Sequence, residues 1–119
     1  MLPIEWISIE VDSHCNLRCT MCPIGHGLVK NQGRIAVDTV EKIADLAVGY
    51  TDKIALAVMG EPLLHPNLVD MVKAIRAKDL NCLLWTNGQL MTEEKSKSLL
   101  KAGVSKVIFS YEIIDKHLH

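Results

Sequence analysis

"KIALAVMGEPLLHPN", residues 53–67, passes from a short apolar run into a loop that holds Gly60, Pro62 and Pro66. An apolar run of this length, bounded by turn residues, suits a strand covered on both faces, as in a parallel sheet. Parallel strands need long crossovers, usually helical, so the flanking segments should be helices. Upstream, Asp38 with Glu41 three residues on forms a capping-box-like start, and Val40, Ile43, Ala44, Leu46 and Ala47 recur at helical spacing until Gly49. Downstream, Asn67 can cap a helix whose inward stripe is Leu68, Met71, Val72 and Ile75.

The same alternation continues outward. Ile4 to Val11 alternates with β-branched residues on one side and reads as the first strand. "CLLW", residues 82–85, is a third strand ended by Asn87-Gly88; Thr92 opens a third helix closed by Gly103; "KVIFS", residues 106–110, is a fourth strand. "YEIIDKHLH" then starts a further helix or simply trails off. The order βαβαβαβ predicts an α/β protein with an open parallel sheet of about four strands and right-handed crossovers, because a closed parallel barrel takes about eight.

Composition narrows the partners. The 119 residues are 49% hydrophobic and 23% charged, the balance of one globular domain spanning 1–119. Thirteen basic against fourteen acidic residues leave a net charge of −1, which offers no field for nucleic acid or an anionic membrane. The ligand should be small. "MLPIEWISIEVD" has neither the basic start nor the apolar core of a signal peptide, and no apolar run reaches the roughly 18 residues of a membrane helix, so a cytoplasmic location is expected.

Every strand is followed by polar candidates: Cys15, Cys19 and Cys22 after the first, Gly60, Glu61 and Pro62 after the second, Thr86 and Asn87 after the third, Ser110 and Glu112 after the fourth. Loops at the carboxyl ends of parallel strands converge on a rim where ligands bind. The connection from Asp12 to Ala36 is far longer than the usual roughly four to six residues, which favours a functional loop. In a reducing compartment its clustered cysteines point to metal or redox chemistry. Three thiolates at CxxxCxxC are one short of a closed zinc site, and in a four-iron cluster they leave one iron without a protein ligand.

"CNLRCTMCP", residues 15–23, and "MGEPLLHP", residues 59–66, resemble the radical S-adenosylmethionine (radical SAM) superfamily, in particular its branch of peptide-maturing and cofactor-building enzymes. The resemblance runs from Ile4 to about Ser110, roughly the first half of that family's partial barrel, so it implies a truncated, half TIM-like barrel in a domain incomplete relative to the family. It implies that Cys15, Cys19 and Cys22 bind three irons of a 4Fe-4S cluster while the amino and carboxylate groups of S-adenosyl-L-methionine chelate the fourth. Reductive cleavage of the sulfonium would then release a 5'-deoxyadenosyl radical that abstracts hydrogen from a small-molecule or peptide substrate. A flavodoxin- or ferredoxin-type electron donor is implied with it.

By the same resemblance Met21 packs near the adenine, and Gly60-Glu61-Pro62 meets the cosubstrate ammonium, with Met59 where a glycine is usual. Thr86 and Asn87 line the pocket, and Ser110, with Glu112 as a weaker candidate, contacts ribose or carboxylate. The alternative is a non-catalytic metal module, either zinc with His14 or His26 as fourth ligand or an electron-transfer cluster carrier. Cys82 lies within a strand and reads as core, Lys30 and Arg34 as a solvated basic face, and His65, His117 and His119 have no assigned role. An open half-barrel leaves its fourth strand unpaired, so self-association or a partner completing the barrel along that strand is expected.

Overall fold

Each strand pairs in parallel with the next in chain order. A computed structural model describes residues 3–12, 33–57 and 60–109. Within them lie β1 (Ile7–Ile9), α1 (Val37–Ala47), β2 (Lys53–Leu56), α2 (Leu68–Arg76), β3 (Asn81–Thr86), α3 (Glu93–Ala102) and β4 (Lys106–Phe109), with a single 3-10 turn at Pro62–Leu64. The sheet order is β1-β2-β3-β4. Each connection therefore steps one strand in the same direction, and crossovers of one hand bring every helix to the same face. This is the winding of a barrel segment, and the open parallel α/β sheet expected from the sequence is what the chain forms.

Register decides which side chains meet the helices. Ile7, Ile54 and Cys82 form one row across the sheet, and Ile9, Leu56, Leu84 and Val107 form the next on the same face. These rows pack against Val40, Ala44 and Ala47 of α1, the Leu68, Met71, Val72 and Ile75 stripe of α2, and Leu99 and Ala102 of α3 in one core. The opposite face carries Ser8, Ala55, Leu83 and Lys106, then Trp85 and Ile108, in register. In a barrel that face would look inward.

Several boundaries differ from the sequence expectation, each for a physical reason. β1 is shorter than Ile4 to Val11: Ile7 pairs with Ile54, so the chain before Trp6 runs past the start of β2, and Ile4 N donates to Tyr50 O at 2.9 Å instead. Leu46 is not part of the buried stripe and is 75% exposed. At about 100° per residue it points about 120° away from the centre of the stripe set by Val40, Ala44 and Ala47. Asp38 does not cap α1; the helix starts one residue earlier, with Ala36 as N-cap, and Asp38 sits in the first turn where its charge favours the positive helix end. Asn67 occupies the N-cap of α2 without a side-chain cap bond. Thr92 does cap α3, accepting from Lys95 N at 3.1 Å, and Gly103 ends it with φ 99°, a left-handed backbone that glycine adopts without strain. Among the described residues no helix is long and apolar enough to cross a membrane.

Candidate functional site

In the loop after β2 Gly60 has φ 91°, a left-handed conformation that a side chain would strain. Glu61 follows as N-cap of the 3-10 turn, its Oε2 accepting from Leu63 N at 2.8 Å. Pro62 stands first in that turn, where a missing N–H costs nothing. Glu61 is 1% exposed, and two further donors explain how a carboxylate stays there: Thr86 Oγ1 donates to Oε2 at 2.6 Å and Asn87 N to Oε1 at 2.7 Å.

Thr86 lies on the helix-facing row with Leu84, so its hydroxyl meets Glu61 while also accepting from Gly88 N at 3.1 Å. Asn87 Oδ1 accepts from Gln89 N at 3.0 Å and shapes the turn after β3. The structure thus brings Gly60, Glu61, Pro62, Thr86 and Asn87 together, with Glu61 joining the β2 and β3 loops into one unit.

A second cluster closes the base of the long connection. Asp12 and Arg34 form an isolated antiparallel bridge, Ile35 N donates to Val11 O at 3.0 Å, and Arg34 Nε donates to Asp12 Oδ2 at 2.6 Å. Asp12 is fully buried, whereas the Arg34 side chain is half-exposed. Arg34 Nη2 also reaches Leu64 O at 3.4 Å. His65, 6% exposed, lies beside this stem: its Nδ1 accepts from Asn67 N at 3.0 Å, which puts the ring proton on Nε2, and Nε2 donates to Ile35 O at 2.7 Å.

Sequence reasoning gave His65 no role and read Arg34 as a solvated cation; both are corrected by these contacts. The legible signal was opposite charge, Asp12 and Arg34, at the two ends of an overlong connection. Cys15, Cys19, Cys22, Met21 and Ser110, with Glu112, lie outside the described residues. Cys82 is buried toward the amino end of β3, where burial pushes its thiol up to about 12 against a weaker opposing pull from Arg76. It is a core side chain. Among the described residues no group of His, Cys, Asp and Glu could hold a metal ion.

A parallel sheet with hydrogen-bonded polar groups gathered at its carboxyl ends defines an α/β protein of the kind in which ligands bind at that rim. The chain belongs to the radical SAM superfamily, whose family model matches residues 9–119. It is similar to the tungsten-containing aldehyde ferredoxin oxidoreductase cofactor-modifying protein of Pyrococcus furiosus, 34% identical over 113 residues that make up 93% of this chain and 32% of that protein. It is also similar to the GTP 3',8-cyclase of Chlorobaculum tepidum, 34% identical over 116 residues, 95% of this chain and 34% of the cyclase. Among solved structures, BtrN in complex with AdoMet and 2-DOIA superposes with a TM-score of 0.76 at 28% identity, over 92% of this chain and 46% of BtrN. The chain spans about a third of the length of the curated relatives it matches. Members of the family are enzymes that use a 4Fe-4S cluster and S-adenosylmethionine.

Proposed function

We propose that this chain is the cofactor-binding part of a radical SAM enzyme, one domain-sized portion of a longer barrel. The observation that carries the proposal is the family match over residues 9–119, which takes in both the cysteine triplet after β1 and the braced Gly60-Glu61-Pro62 loop after β2. The donor set fits the group: Cys15, Cys19 and Cys22 would hold three irons of a 4Fe-4S cluster and leave one for the amino and carboxylate groups of S-adenosylmethionine. When bound, cluster and cosubstrate would supply one-electron reductive cleavage of the sulfonium and, with it, hydrogen abstraction from a substrate.

The chain's own residues bind and orient. Glu61 already accepts three hydrogen bonds, so its work is to hold the rim, and the backbone carbonyls of the Gly60 loop are the acceptors offered to the cosubstrate ammonium. Gly60 keeps the backbone open to close approach. Thr86 and Asn87 act through Glu61 and the turn they build; by the family resemblance Met21 would serve the adenine and Ser110 the ribose or carboxylate. A small-molecule substrate is supported by relatives named for modifying a cofactor and cyclising GTP, and by BtrN holding 2-DOIA. A flavodoxin- or ferredoxin-type donor would supply the electron, in a reducing cytoplasm that would keep the three cysteines from pairing as disulfides before the cluster is loaded. The barrel would be completed along β4, whose outer edge has no partner among the described residues and whose Phe109 is 54% exposed, by further strands or a second copy.

The test is anaerobic reconstitution with iron and sulfide, then dithionite and S-adenosylmethionine. The expected result is a cluster chromophore and 5'-deoxyadenosine, with cluster lost in Cys19→Ala and kept in Cys82→Ala. Tightly held zinc without iron, or a cluster whose irons are all ligated by side chains, would overturn the proposal. In sedimentation the 119 residues alone should associate, and a well-folded monomer at high concentration would refute association along β4.

A further inference from the structure

We infer that His65 is a positioning residue that fixes the base of the cysteine-bearing connection against the turn held by Glu61; its consequence for the cluster rests on the reading above. The Asp12–Arg34 bridge and the Ile35–Val11 hydrogen bond close a stem, and Glu61 braces the loops after β2 and β3. These are two separate units. At least two side-chain hydrogen bonds join them. The Arg34 Nη2 contact to Leu64 O is 3.4 Å long, near the limit of a useful hydrogen bond, and comes from a half-exposed side chain that water competes for. The His65 Nε2 contact to Ile35 O is 2.7 Å long and comes from a buried ring, where low polarity strengthens it.

The ring cannot trade partners. Its Nδ1 is occupied by Asn67 N at 3.0 Å, at the start of α2, so Nε2 is aimed at the stem by the same turn that Glu61 caps. An apolar side chain would fill this place without needing two matched hydrogen bonds. The imidazole does what an apolar group cannot: it transmits the position of the 62–67 turn to Ile35, three residues beyond residue 32. Held this way, Ile35 and the Asp12–Arg34 bridge keep a set position relative to the Gly60 loop, which the reading above assigns to the cosubstrate.

The two ring nitrogens can be tested separately. In His65→Gln the amide nitrogen reaches the Nε2 position and keeps the bond to Ile35 O while giving up Asn67. In His65→Asn the amide oxygen replaces Nδ1 and keeps Asn67 while giving up Ile35. Each variant loses one hydrogen bond, so a merely structural role predicts equal behaviour. Positioning predicts that amide exchange at Ile35 in the iron-free protein is roughly tenfold faster in His65→Asn than in His65→Gln. After reconstitution, S-adenosylmethionine affinity should fall roughly tenfold in His65→Asn and be rescued in His65→Gln.

Equal exchange in the two variants would overturn the clasp. Unequal exchange with equal cosubstrate affinity would overturn its effect on the site. Should the wild-type protein take up no iron, the cofactor reading would fall, and the exchange ratio alone would still support or refute the clasp.

Discussion

At the carboxyl end of the sheet Asp12, Glu61, His65 and Thr86 are buried and hydrogen-bonded, whereas around its amino end Ile4, Trp6, Val48 and Tyr50 stand exposed. Stability alone would favour the reverse, since burying polar groups costs free energy and so does leaving apolar surface in water. The buried polar side chains make sense as fixtures. Each ties together segments far apart in sequence: Asp12 with Arg34, Glu61 with Thr86 and Asn87, His65 with Ile35. At the amino end the one buried polar residue among the described residues, Thr51, donates to Glu5 O at 3.1 Å and accepts from Lys53 N at 3.2 Å, enough to hold a turn. The difference marks the carboxyl end as the place where loop geometry was worth its cost.

The largest effect that could break this contrast is at Glu61. Glu61→Gln sets an amide donor among three donors, so at least one buried N–H or hydroxyl loses its acceptor. Chemical denaturation should show a loss of about 2–3 kcal/mol, and cosubstrate binding should weaken while the cluster stays in place. Thr51→Val, which removes a turn-holding hydroxyl at the other end, should cost about 1 kcal/mol and leave binding alone. Equal losses for the two would mean that the carboxyl end holds nothing more than any other turn.

How much of this was legible depended on whether a signal was local. The β2 run, the α2 stripe, Thr92 and Gly103 could be read because each acts within a few residues of itself. Grouping the residues after β2 and β3 followed from topology alone, since parallel strands deliver their loops to one rim. That Glu61 turns inward is not legible, because "GEP" in sequence does not say which way the carboxylate faces; its direction is set by the Thr86 hydroxyl, on the helix-facing side of β3, and by Asn87 N. His65 was missed for the same reason: its partner, Ile35, lies thirty residues away. Leu46 was misread because five apolar residues within eight positions of α1 overfill one face, and the helix must expose some of them.

Cys82, buried toward the amino end of β3, gives a smaller, pH-dependent effect. Its folded-state thiol is pushed up to about 12, from an ordinary value of 9.0, by burial. Below about pH 9 both folded and unfolded chains keep the proton, and the contribution to stability is fully present. As pH rises from there the unfolded chain loses its thiol proton first, so the folded state binds more protons and stability falls until the folded thiol also ionises near 12. Cys82→Ala should cost about 1 kcal/mol at neutral pH, and the gap to wild type should narrow in denaturation curves taken above pH 9. A gap that stays constant would show that the thiol is not shielded by the core rows of β2 and β3.

The smallest expected effect tests the amino end directly. Leu46 is 75% exposed in the last turn of α1, a turn that carries no basic residue. Leu46→Lys removes little buried area, keeps a good helix former, and places a cation at the negative end of the helix dipole. Thermal unfolding should therefore show no loss, or a gain of about 0.3–0.5 kcal/mol. A loss of more than about 1 kcal/mol would mean that Leu46 is covered by something outside the described residues. In that case the exposed apolar side chains at the amino end would be a contact surface, and the two ends of the sheet would differ less than their burial suggests.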